Sequence, residues 1–113
     1  MVDKKALKQA YKQQTPTMGV FQLLNKQNGK ILLEGATDIQ AKWNRHRTEL
    51  KMGSHRNMQL QQDWNSQGEE HFEFSILSEL KLDDDAKVNV KDEVKLLTKM
   101  VEEEMKLSVE LKY

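Results

Sequence analysis

Residues 42–56 hold five cations, Lys42, Arg45, Arg47, Lys51 and Arg56, together with two histidines, His46 and His55, against one acid, Glu49. Lysine and arginine neutralise phosphate, and imidazole can move a proton near neutral pH, so this run has the side chains for contacting or cleaving a phosphodiester. The same composition also suits an ordinary solvated helix face. Neither histidine has a sequence neighbour at a typical metal-ligand spacing. A second biased stretch, residues 83–104, has eight acids against four lysines, and its aspartate triplet at 83–85 reads as a solvated loop.

The rest of the composition removes several classes of chemistry. Without cysteine there is no disulfide, thiolate nucleophile or cysteine-based zinc site, so any metal would need oxygen or imidazole ligands. A formal net charge of zero gives the whole molecule no long-range pull on a polyanion. Apolar runs are only a few residues long, and the N-terminus lacks a signal-peptide core. No membrane association and a cytoplasmic location are therefore expected. At 113 residues, one domain with one modest core is expected.

Several elements must position the candidate residues. Residues 1–16 read as an amphipathic helix ended by Pro16. Val20 to Leu24 and Ile31 to Leu33 flank Asn28-Gly29, which predicts a β-hairpin closed by a type I′ turn. Thr37 or Asp38 can cap a helix that carries Ile39, Trp43 and Leu50 on one face and stops at Gly53. A short helix through Met58, Leu60 and Trp64 closes at Gly68. A third strand, His71 to Ile76, should bury Phe72, Phe74 and Ile76. After a loop at 81–90, residues 91–113 read as one long helix, with Met100 and Met105 in the core beside Val101 and Val109. The fold expected is α/β (α+β), a small three-stranded antiparallel sheet flanked by helices in the order α-β-β-α-α-β-α.

This order resembles that of the GIY-YIG endonuclease domain, and particular residues match. Gly19-Val20-Phe21 stands at the first signature tripeptide and Leu32-Leu33-Glu34 at the second. The run from Asp38 to Leu80 is similar to the homing-endonuclease branch, through Lys51-Met52-Gly53-Ser54-His55, Leu60-Gln61, the Asn65 to Gly68 turn and Phe72 to Leu77. The core covered is 17–80. In that family two tyrosines, an arginine, a histidine and a glutamate assemble around one divalent ion to hydrolyse DNA. By this resemblance the catalytic positions are Phe21 and Leu32 for the tyrosines, Lys42 for the arginine and His46 for the histidine. Glu34 replaces the motif glycine. The metal glutamate falls at Thr98, with Glu93 or Glu102 as alternatives in another register. Arg45, Arg47, Lys51, His55 and Arg56 become candidates for contacting DNA.

Most of those positions have lost the group the chemistry needs. Phe21 and Leu32 carry no phenol, Lys42 lacks the planar guanidinium fork, and threonine is a poor ligand for magnesium. The leading expectation is a GIY-YIG-fold protein with an impaired nuclease site, serving as a DNA-binding or interaction module. One alternative is an active metal-dependent endonuclease with a rearranged site, which alone would call for Mg2+. Another is a domain whose partner is a protein, with no nucleic-acid role.

Overall fold

The computed structural model describes residues 16–82, 88–106 and 108–113. The expected N-terminal helix and the aspartate triplet lie outside the described residues. Three strands, β1 (Gly19–Asn25), β2 (Ile31–Ala36) and β3 (Phe72–Glu79), form an antiparallel sheet in the order β2-β1-β3. Three helices flank it, α1 (Ile39–Met52), α2 (Met58–Gln67) and α3 (Val90–Met105). The fold is thus the mixed α/β arrangement expected. No helix among the described residues is long and apolar enough to cross a membrane.

Alternation along β1 sends Phe21 and Leu23 to the face covered by α1 and α2. Leu23 packs there with Leu50, Leu60 and Trp64, while Phe21 packs with Ala36 and Ile39. The opposite face takes α3. Gly35, opposite Val20 in the β1–β2 register, marks that contact. A Cβ on Gly35 would lie 2.0 Å from Thr98 Oγ1 and 2.9 Å from Val94 Cγ1, so α3 sits down on the sheet only because this position has no side chain.

The helix ends follow local chemistry. Asp38 is extended and its carboxylate accepts from the Ala41 N–H at 3.0 Å, capping α1. Gly53, at φ 76°, stops the helix in the left-handed region. Asn57 caps α2 through the Leu60 N–H, and Asn89 caps α3 through the N–H groups of Lys91 and Asp92.

Several expectations change. The hairpin is not closed by a type I′ turn. Its strands stop at Asn25 and resume at Ile31, and of the turn residues only Gly29 has positive φ. The Gly29 N–H reaches back to the Asn25 carbonyl, while the Asn25 and Asn28 side chains accept from the N–H groups of Gln27 and Lys30. Asparagine here organises the loop through its side chain. The third strand begins at Phe72, because Glu69–His71 forms a short 3-10 turn.

Ile76 was expected in the core and is 43% exposed. It lies on an edge strand beside a register shift between Val20 and Phe21. The C-terminal helix ends at Met105, not at 113. Lys106 turns left-handed at φ 47°, and Val109–Leu111 forms a 3-10 turn. Val109 is therefore exposed. Met100 is also half-exposed, because the buried stripe of α3 runs through Val94, Thr98, Val101 and Met105 and leaves it on the outer side.

Candidate functional site

Lys42, Arg45, His46 and Glu49 are spaced by three, four and seven positions along α1, which brings them onto one side of the helix. Beneath them, β2 presents Glu34, paired with Phe21 across the sheet and half-buried. The Glu34 carboxylate takes Lys42 Nζ at 3.4 Å on one oxygen and His46 Nε2 on the other. Three residues separated by eight and four positions in sequence thus share one charge centre.

The loop after α1 brings in His55. Gly53 reverses the chain, and Gln61 of α2 holds it from below. The Gln61 Oε1 accepts from the His55 N–H at 3.1 Å, and its Nε2 donates to the Leu50 carbonyl at 2.9 Å and to Asn65 Oδ1 at 3.0 Å. His55 is left 7% exposed with its Nε2 at 2.8 Å from His46 Nδ1. Its other nitrogen, Nδ1, receives the Asn57 N–H at 3.0 Å.

That last contact sets the direction of the whole chain of hydrogen bonds. A backbone N–H can only donate, so His55 Nδ1 accepts and the proton of the neutral ring sits on Nε2. His55 therefore donates to His46 Nδ1, and His46 donates through Nε2 to Glu34. Burial first, and the neighbouring His46 second, push the His55 ring below the usual histidine range, which favours this neutral form. For Glu34, burial acts to raise the carboxyl, but the hydrogen bond from His46 and then the charge of Lys42 bring it below the usual carboxylate range. The outcome is an ionised Glu34 at the end of a two-histidine relay.

Two kinds of metal site can be tested against this arrangement. The resemblance puts the family's metal carboxylate at Thr98, or at Glu93 or Glu102 in another register. Thr98 lies on the α3 side of the sheet, away from the relay, and its hydroxyl donates to the Val94 carbonyl at 2.7 Å. Glu102 is engaged by Lys112 at 2.7 Å, and Glu93 sits in the first turn of α3. These residues do not fit a magnesium site at the relay. His46, Glu49 and His55 each offer a ligand atom within 4.8 Å of the others. An ion on His55 Nε2 would, however, require the ring proton on Nδ1, directly against the Asn57 N–H, so this set fits only after His55 or Asn57 moves.

The remaining candidate residues divide. Phe21 is fully buried, 6.2 Å ring to ring from His46, and Leu32 packs against the Leu23 cluster, so both serve the core. Arg45 is paired with Glu49 at 3.2 Å and Arg47 with Glu69 at 2.9 Å. Lys51 and Arg56 are exposed. His55, expected among the DNA-contacting residues, is buried with both ring nitrogens engaged, and Arg56 faces solvent in its place. Glu49, Gln61 and Asn57 were not expected in the site. Only Glu49 had a legible signal, its spacing from Lys42, Arg45 and His46.

A three-stranded antiparallel sheet with helices on both faces gives this chain the fold of the GIY-YIG homing-endonuclease catalytic domain. Two solved structures of the catalytic domain of the homing endonuclease I-TevI are similar. One, a point mutant, superposes with a TM-score of 0.67 at 29% identity over 86% of this chain and 91% of that one. The other gives 0.66 at 28% identity over 85% and 95%. The intron-associated endonuclease 1 of Enterobacteria phage T4 is 36% identical over 67 residues, 59% of this chain. The match spans about a quarter of that relative's length, 27%. No family model matches the chain.

Proposed function

We propose that this chain is a DNA-binding module built on the GIY-YIG nuclease fold, with its hydrolytic site impaired. The observation that carries the reading is Glu34, whose two carboxylate oxygens hold Lys42 and His46. A phosphodiester coming to Lys42, the cation of this pair, and to the His46 N–H would meet a fixed negative charge. At about 4 Å and an effective dielectric of about 20, that repulsion is on the order of 4 kcal/mol, comparable with what one such cation offers. Both nitrogens of His46 and of His55 are already hydrogen-bonded, so neither ring is free to take a proton from water. Phe21 and Leu32 bring no phenol. Similarity to endonucleases makes DNA the polymer to which the exposed cations are assigned.

The alternative, a metal-dependent endonuclease with a rearranged site, draws on the convergence of His46, Glu49 and His55. It requires the Asn57 N–H to leave His55. One experiment separates the readings: supercoiled plasmid incubated with the protein and Mg2+, Mn2+ or Zn2+, alongside anisotropy of a labelled duplex at several salt concentrations. The expected result is salt-dependent binding without nicking. Nicking that disappears in His46→Ala would establish the alternative, and absence of binding at low salt would reject a DNA-binding role.

A further inference from the structure

A second basic concavity lies beside the relay. A cleft of about 480 Å³ opens between the start of α1 and the start of α3, lined by Lys42 and Arg45 from one helix and Lys91 and Lys95 from the other. One acid lines it, Asp38, whose carboxylate is occupied in capping α1. The neighbouring concavity of about 350 Å³, over the relay, has Lys42, Arg45 and Arg56 against Glu34 and Glu49. Lys42 and Arg45 line both, so the two join into one track with most of its positive charge at the α3 end.

Further features mark this cleft as suited to an anion. The N-terminal turns of both α1 and α3 adjoin it, and each contributes a partial positive charge there. Lys91 and Lys95 sit in the first two turns of α3, where a cation opposes the helix dipole at a cost of about 0.3–1 kcal/mol. Asp92 and Glu93 of the same turn offset part of that cost, but neither lines the cleft. Both lysines are exposed, and neither forms an ion pair among the described residues. Ala41, exposed and small, lines the wall, which leaves room for a bulky group to come close.

We infer that Lys91 and Lys95 of α3, with Lys42 and Arg45 of α1, form a binding cleft for the phosphodiester backbone of duplex DNA. The inference rests on the DNA-binding reading above and says where the strand lies. Phosphates are held on the α3 side of Lys42, and the strand runs toward the relay without placing a phosphate between Glu34 and His46.

The test is duplex anisotropy across a salt series for the whole chain and two double variants of equal charge change. Lys91→Ala/Lys95→Ala removes the cleft lysines, whereas Lys26→Ala/Lys99→Ala removes two exposed lysines outside it. All four positions are exposed, and circular dichroism checks that each variant keeps its fold. Loss of two phosphate contacts should reduce the slope of log K against log salt by roughly 1.8 in the first variant only. Equal weakening in both variants, or none in either, would overturn the cleft while leaving DNA binding in place. If the parent protein binds no duplex at low salt, the cleft and the DNA-binding reading fall together.

Discussion

At the scale of single residues, Glu34 is the position where one change should alter several properties at once. Glu34→Gln keeps the shape and an acceptor for His46 but removes the charge that holds Lys42. Duplex affinity at low salt should rise, because the carboxylate that competes with phosphate for Lys42 is gone. The half-buried pairs it loses should cost about 1 kcal/mol of stability, read as a lower denaturant midpoint. Nicking should still be absent, since Phe21 and Leu32 supply no phenol. A variant that cut plasmid would show that Glu34 alone blocks catalysis.

The seat of α3 on the sheet depends on the contact between Gly35 and Thr98. The second signature tripeptide ends in glycine in the family, whereas here Glu34 takes that place and glycine follows at 35. A shift of one residue along a strand reverses the face. The carboxylate accordingly points toward α1 and the missing side chain toward α3. Gly35→Ala should lift α3 and destabilise the protein by roughly 2–3 kcal/mol, by overpacking against Thr98 and Val94. Adding Thr98→Ala removes the nearer clash, so the double variant should recover part of the loss in a thermal or denaturant melt. Additive losses would rule out this contact as the cause.

For the molecule as a whole, Tyr113 ties the end of the described chain to the sheet and to α2. Its hydroxyl donates to Asp63 Oδ2 at 2.7 Å and accepts from Asn25 Nδ2 at 2.8 Å, and its backbone N–H reaches the Ile31 carbonyl. Burial, and then the bond to Asp63, push the phenol from 10.0 up to about 12. The folded state thus holds this proton more tightly than the unfolded chain. The stability it contributes is complete below pH 10 and is lost as pH rises through about 12. Tyr113→Phe should lower the midpoint at neutral pH by the equivalent of about 1–2 kcal/mol. The gap to the parent protein should close between pH 10 and 12. A gap that does not change with pH would show that the hydroxyl is not the source.

Much of this architecture was legible in residue order. Asp38, Gly53 and Gly68 mark helix ends through their own backbone and side-chain chemistry, and the apolar periods of β1, α1 and α2 identify which side of each element is buried. Such signals act over a few residues, so the sequence alone determined the order of these elements and the basic character of α1. It did not determine which distant groups meet. Only tertiary packing brought Glu34, His46 and His55 into one relay, with Gln61 of another helix fixing its last member. Packing likewise set Lys91 and Lys95 across a cleft from Lys42 and placed Thr98 on the far side of the sheet. Periodicity records which face of an element is apolar, and the faces of other elements that meet it are chosen by the sheet's register and by where a helix can approach closely. At Gly35 that choice rests on one missing Cβ.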